Sequence, residues 1–382
     1  METILNNDNL FIQYQLDHYF QKYNNSITKF SYVDAINDYI NQAKENKNNF
    51  LWIEVIKFDS IDIYFLENSN IQNIMSHKDT LLQHYNSDII KDQTKLIISS
   101  IKTFPFFIIR SGWDLSYVNI NQPCILRTSI RENNDFGVLI PDSSTQKTEV
   151  LSKYKKSFGD INFKNKQPLI CWRGVYSGHV SNDCFIDTKN NKNQDFRYYS
   201  RGFFVNKFCD DHNIKFVLTN APWMYQEKKI STKASSDFLD PTYMAKTYKF
   251  QVALNGNSFA GSFGWNLLSN SIVFHPDYKD DFYTYVCPRK NIDYIPIRDD
   301  YEDLNDKYNY YTKNQDEAEI IANNGKKYMD NLVRLTPKLT KMTMNKIYDL
   351  YDQHTLNDAV KLMNEKLTKV SVKLKKNLFE IL

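Results

Sequence analysis

The sequence predicts an α/β chain of two domains, each formed around an open and largely parallel sheet. Three observations lead there. A length of 382 residues exceeds one ordinary domain and suits two of roughly 150 to 190 residues, both large enough to bury a core. The run FPFFIIR at 104–110 is short and continuously apolar, as a strand covered on both faces of a parallel sheet must be. The stretch 248–274, YKFQVALNGNSFAGSFGWNLLSNSIVF, reads as strand, small-residue loop, helix and strand, which is a βαβ unit.

The other elements follow from periodicity. Residues 1–48 read as mostly helical, because Leu10, Ile12, Leu16, Tyr19 and Phe20, then Tyr32, Ile36, Tyr39 and Ile40, recur near a 3.6-residue spacing. Residues 51–58 and 61–65 read as strands of a hairpin or edge pair. Residues 71–86 read as a helix, and 89–103 as another or as a helix closing into a strand. Residues 125–128 are strand-like. The polar, lysine-rich piece 145–166 reads as the crossing between domains, and 169–172 as the strand that opens the second one at Arg173-Gly174. A helix at 203–211, a strand at 214–218 and a short lead-in at 241–246 precede the βαβ block. Residues 333–382 are basic and amphipathic and read as terminal helices, either packed back across the first domain or solvated at the surface. The expected domains are 1–160, 161–335 and a helical tail at 336–382.

Composition excludes several classes. The chain carries 48 basic and 45 acidic residues, a net charge of +3, with the signs interspersed, so no strong field points to nucleic acid. Aromatic residues make up 15%, which suits stacking on sugar faces. Yet Asn, Ile, Lys and Tyr are all abundant together, and an AT-rich genome explains the tyrosines more simply. Cys124, Cys171, Cys184, Cys209 and Cys287 are odd in number and show no zinc spacing. The N-terminus METILNNDNLFIQYQLDHYF lacks the basic and apolar regions of a signal peptide. No run of 18 apolar residues occurs, so no membrane span is expected. These features point to a reducing cytoplasm, that of a microbe or of a virus-infected host cell.

The candidate chemistry lies at strand ends. In the loop 255–262, glycines let backbone N–H groups approach a ligand, and the first turn of the following helix offers donors to an anion. Gly261, Ser262 and Phe263 are the expected phosphate contacts. Arg173 follows a strand directly, and its planar guanidinium suits bidentate contact with phosphate oxygens. Gly174 and Ser177 share that turn, as does Gly178. Asp114 and Asp142 follow the strand-like segments and are candidate carboxylates, Asp142 also being an ordinary Pro-Asp-Ser turn residue. His179 and His275 are isolated and read as surface or packing residues. The acidic pairs Asp210-Asp211, Asp280-Asp281 and Asp299-Asp300 are adjacent in sequence, which turns their side chains apart. No metal site is expected.

Trp172-Arg173-Gly174, Tyr248-Lys249-Phe250, Gly256, Ser262-Phe263-Gly264-Trp265, Asn270-Ser271-Ile272-Val273-Phe274, Asp293-Tyr294-Ile295-Pro296-Ile297 and the helix-like NQDEAEIIANNGKKY at 314–328 come in an order and spacing that resembles glycosyltransferase family 90. That family includes protein O-glucosyltransferases and the sugar transferases that modify capsules and lipopolysaccharide. The resemblance covers roughly residues 104 to 332. It implies a GT-B-like fold, two Rossmann-like domains facing a central cleft, with the acceptor side in the first and the nucleotide side in the second. It also implies transfer of a sugar, glucose or xylose, from a UDP-sugar to a hydroxyl of a protein or glycan, with inversion and without a metal. Asp114 is then the catalytic base, and Arg173, Gly174, Ser177, Gly261, Ser262, Phe263 and Lys249 hold the donor diphosphate. One departure stands out: the family's arginine in S-x-R-[FW] is here Gly264. Either another cation, Lys249, Arg201 or Arg289, takes its place, or the donor is bound differently. The alternative is a degenerate, non-catalytic module that binds a carbohydrate or nucleotide.

Overall fold

The computed structural model describes residues 3–20, 29–45, 51–67, 94–95, 97–101, 105–111, 124–126, 129–130, 137–139, 148–174, 200–218, 240–256, 259–277, 282–283, 285–374 and 379–381. The helix expected at 71–86, most of that at 89–103, and Asp114, Asp142, Ser177, Gly178 and His179 lie outside the described residues.

In chain order the described strands are β1 (Phe30–Ser31), β2 (Leu51–Ile56), β3 (Ser60–Phe65), β4 (Phe106–Ser111), β5 (Cys124–Leu126), β6 (Ser129–Ile130), β7 (Gly137–Leu139) and β8 (Gln167–Gly174). They continue as β9 (Ile214–Leu218), β10 (Tyr248–Val252), β11 (Ile272–Pro276), β12 (Phe282–Tyr283), β13 (Ile295–Ile297), β14 (Tyr351–Asp352), β15 (Thr368–Leu374) and β16 (Phe379–Ile381). The chain forms two compact units. One comprises Met1–Asn6, Thr145–Asp281 and Val286–Arg334, and the other Asn7–Ser144, Phe282–Tyr285 and Leu335–Leu382.

The first unit holds a five-stranded sheet in the order β13-β11-β10-β8-β9, parallel throughout. Every residue of β10 and β11 is buried, as strands covered on both faces require. On one face Phe250 stacks on Phe274, with ring centroids 5.8 Å apart, and meets Tyr308 edge-on. Ile170, Trp172, Phe204, Phe208 and Ile214 complete that core. Residues 241–246, read from sequence as a lead-in, are instead the helix Pro241–Thr247. Asp240 caps it by accepting the Thr242 N–H at 2.9 Å, and Pro241 occupies the first turn, where its missing N–H costs nothing. The supposed domain crossing at 145–166 likewise contains a helix, Thr148–Phe158, which belongs to this unit. Its lysines lie outward while Leu151 and Phe158 are buried, so a strongly charged outer face disguised an amphipathic helix.

A buried ammonium anchors the amino-end side of this sheet. Lys166 is 4% exposed, and its Nζ donates to the Ser269 carbonyl at 2.6 Å, the Asn270 carbonyl at 2.7 Å and Ser271 Oγ at 2.7 Å. Ser271 Oγ donates its own hydrogen to the Tyr248 carbonyl, so it accepts from the lysine. When charged, the lysine's three N–H groups serve all three acceptors. The two carbonyls terminate the helix Phe263–Leu268, where a cation is favoured, and Asn270 ends that helix in the left-handed region at φ 55.

The second unit holds a seven-stranded mixed sheet in the order β16-β15-β3-β2-β4-β5-β7. Strands β2 and β3 form the expected hairpin. The 104–110 run becomes β4, which is parallel to β5 but antiparallel to β2. It is therefore not the strand of a wholly parallel sheet that its apolar run suggested. The helical reading of 333–382 holds through the helices Gln315–Leu350 and Leu356–Lys366 and then fails. The segment Thr368–Leu374 pairs antiparallel with β3, and β16 pairs with it in turn. The alternation Val370, Val372, Leu374 is the period-two signal of a strand. Buried Asp62 on β3 meets Lys57 at 2.6 Å, Lys369 at 2.9 Å and Ser371 at 2.6 Å, which ties the C-terminal strand to the hairpin. Burial alone would raise the Asp62 carboxyl, but these partners hold it below the usual carboxylate range.

Burial, aided by the nearby Lys249, holds the Lys166 ammonium well below the ordinary lysine value of 10.5. Between the lowered folded value and 10.5 the folded state binds fewer protons than the unfolded state, so stability rises with pH across that window. Lys166→Met is expected to lose about 3 kcal/mol by orphaning the buried acceptors and to flatten that rise. Denaturant midpoints measured at a series of pH values check both.

Candidate functional site

Numbered by their order along the chain, the five parallel strands lie 5-4-3-1-2 across the sheet, the doubly wound order 2-1-3-4-5 read from its other edge. The chain leaves β8 toward β9 on one side, while β10, β11 and β13 build outward on the other. The crossovers from β8 and β10 therefore lead to opposite sides of the pair, which makes the carboxyl ends of these two strands the topological switch point, the place where open α/β sheets bind ligands in a crevice.

Strand β8 delivers Trp172, Arg173 and Gly174 to that edge. Trp172 is buried, 1% exposed, and packs on Phe204 at 5.9 Å. A Cβ at Gly174 would lie 2.6 Å from Trp172 Cζ2, so the indole folds over the strand end only because residue 174 has no side chain. Strand alternation then sends Arg173 to the opposite face, half-buried at the end of the strand. The thiol of Cys171, two residues earlier, is pushed far up by burial and is no nucleophile at neutral pH.

Strand β10 leads into the small-residue loop. Ala253 continues the ladder by donating its N–H to the Phe274 carbonyl at 2.9 Å. Its own carbonyl accepts from His275 Nδ1 at 2.7 Å, and the next carbonyl, of Leu254, accepts from Arg201 Nη2 at 3.1 Å. Arg201 stands in the first turn of the helix Ser200–Phe208. Asn255 Oδ1 accepts the Ala260 N–H at 3.0 Å, and the Phe263 N–H returns to the Ala260 carbonyl at 2.9 Å. The loop is thus folded on itself, and Arg173 and Arg201, from either end of the connection between β8 and its following helix, both belong to this edge.

Several predicted contacts are placed differently. The Phe263 N–H is spent inside the turn, so it is not a donor for an anion. Gly261 and Ser262 are half-buried in the turn, and Ser262 makes no side-chain cap to a helix only six residues long. Lys249 is the second residue of β10, at its amino end, about 13 Å along the strand from Ala253, where the loop begins. Its Nζ donates to Gln315 Oε1 at 2.6 Å and lies 4.9 Å from the Phe163 ring. Arg289 is held by Asp293 through paired bonds of 2.8 and 2.7 Å. That loop docks on the long helix because a Cβ at Gly325 would come within 2.5 Å of the Asp293 carbonyl. Among the described residues no three His, Cys, Asp or Glu side chains gather closely enough to hold a metal ion. Nor is any described helix long and apolar enough to cross a membrane.

Gly264 does not face the crevice. A Cβ there would meet Leu151 Cδ2 and Met329 Cε, each at 3.3 Å, so position 264 points into the packing between its own helix and the helices Thr148–Phe158 and Gln315–Leu350. An arginine would drive a charge among apolar side chains. Sequence reasoning missed this because spacing gives a residue's place on a helix, not which neighbour covers it. His275, read from sequence as a surface or packing residue, is the latter: it is 3% exposed and stacked on Phe263 at 4.7 Å, but nothing in the sequence signalled its bond to the Ala253 carbonyl. Gly264→Arg is expected to destabilise the protein by about 3 kcal/mol through overpacking and an unpaired charge. Thermal or denaturant unfolding of the variant measures it.

A doubly wound sheet with two arginines at its switch point suits a nucleotide-type anion. A search among curated proteins returned no match. The sequence model of glycosyl transferase family 90 matches residues 135–378, a span that takes in every element of the switch-point edge and well over half of the chain. This chain therefore belongs to glycosyl transferase family 90.

Proposed function

We propose that the chain is a GT-B-type, metal-independent transferase that carries a sugar, glucose or xylose, from a UDP-sugar to a hydroxyl of a protein or glycan acceptor with inversion. The observation that carries this reading is the topological switch point between β8 and β10, with Arg173 at the end of β8 and Arg201 on the Leu254 carbonyl. The donor diphosphate sits there against Arg173, with the Arg201 guanidinium adding positive charge behind the loop. As the glycosidic bond breaks, negative charge grows on the leaving UDP, and fixed guanidinium groups stabilise it without reorganising. The acceptor belongs to the second unit, and Asp114, outside the described residues, is the proposed base that takes the acceptor proton. Lys249 takes no part, and Arg201 supplies the cation that Gly264 cannot.

Arg173→Ala is expected to weaken UDP binding by roughly 1.5 to 3 kcal/mol, the loss of one charge-assisted contact, while the folded state persists. Calorimetry with UDP reads it, and unchanged affinity would remove Arg173 from the site. UDP release from a UDP-sugar should continue in EDTA; a tenfold loss restored by Mg²⁺ or Mn²⁺ would refute the metal-free mechanism. Absence of UDP release under every condition, with UDP still bound, would favour the degenerate binding module instead.

A further inference from the structure

The loop 253–262 is gripped at both of its ends by one side chain. His275 Nδ1 lies 2.7 Å from the Ala253 carbonyl, and since a carbonyl only accepts, Nδ1 carries the hydrogen. The same ring stacks on Phe263, at 4.7 Å and 23° between planes. Ala253 is the first residue beyond β10 and Phe263 the first residue of the following helix, so His275 fixes where the loop starts and where it stops. Tyr294 closes the cluster edge-on to Phe263 at 5.3 Å. Alternation along β11 makes this possible: Phe274 points to the core face with Phe250, and His275 to the face that carries the loop and its helix.

A phenylalanine would fill the same space and stack as well. What imidazole adds is a directed donor on a peptide at the switch point. The Leu254 carbonyl, next in the chain, is held by Arg201 from the β8 side. Consecutive peptide groups are thereby oriented by one donor from the helix that follows β8 and one from β11.

We infer that His275 is a positioning residue for donor binding: its Nδ1–H to Ala253 presets the loop that receives the nucleoside diphosphate, without touching the ligand. The inference rests on the proposed function for the ligand's identity and on the geometry alone for the loop. Preorganised loops bind more tightly because the ordering cost is met before the ligand arrives.

The test compares His275→Phe, which keeps the stacked ring and removes the donor, with His275→Asn, whose Nδ2 stands near the position of Nδ1. UDP affinity is measured by calorimetry, and donor KM and kcat by UDP release. His275→Phe should raise the UDP Kd and the donor KM about tenfold, the loss of roughly one hydrogen bond, with kcat changed less. His275→Asn should recover most of the affinity. Wild-type affinity in folded His275→Phe, or no recovery in His275→Asn, would overturn the inference. If His275→Phe does not fold, a Kd for His275→Asn close to wild type supports it and a tenfold rise refutes it. Should the wild type bind no UDP, the proposed ligand falls and amide exchange decides the remainder. Faster exchange of the Ala260 and Phe263 amides in His275→Phe, with the sheet unchanged, sustains the loop-setting role; unchanged exchange sinks it.

Discussion

Strand β10 is the constraint on which the first unit depends. It pairs in parallel with β8 on one side and β11 on the other, and its whole length is buried. Parallel neighbours cannot be joined by a tight turn, so each needs a crossover that covers a face of the sheet. Because β8 was laid down first and β9 was placed on its far side, the crossovers on either side of the β8–β10 pair run in opposite directions. That divergence, rather than any one residue, makes the switch point. The two ends of β10 then have different work. Its amino end sits over the Lys166 network that stops the following helix, and its carboxyl end opens the loop between Arg201 and His275.

Much of the family-like sequence pattern in this chain proves to be steric. Gly174 gives way to the Trp172 ring, Gly325 to the Asp293 backbone, and Gly264 to Leu151 and Met329. Each is a place where an element must approach another more closely than a Cβ allows. Position 264 matters most. Seen as a string, glycine in place of arginine reads as a missing cation. In three dimensions position 264 points into apolar packing, while Arg173 at the end of β8 and Arg201 on the following helix stand at the switch-point edge. Placement, not count, decides which charges a ligand meets.

The second unit shows how a buried carboxylate can organise a sheet edge. Asp62 brings Lys57 from the hairpin turn and Lys369 with Ser371 from the C-terminal strand to one point. With Asp62 buried, a register that separated it from both lysines would leave its charge without a partner, a cost that disfavours the slip. Strand β15 is thereby enlisted into a sheet begun some three hundred residues earlier.

The sequence by itself determined the α/β class, the βαβ block, the hairpin of β2 and β3, the apolar strand β4 and the strand that leads to Arg173-Gly174. Those signals are local: hydrophobic period, turn chemistry, caps and glycines act over a few residues. It did not show the helix within 145–166 and misread 368–374, where a charged outer face and a short alternation stood against a stronger neighbouring pattern. Only the tertiary structure decided which strands pair, and therefore that Lys249 and Arg173 stand at opposite ends of one sheet, that Gly264 faces a helix, and that His275 reaches the carbonyl of Ala253. Strand order is set by contacts between segments far apart in the chain, and no periodicity within a segment records its partner.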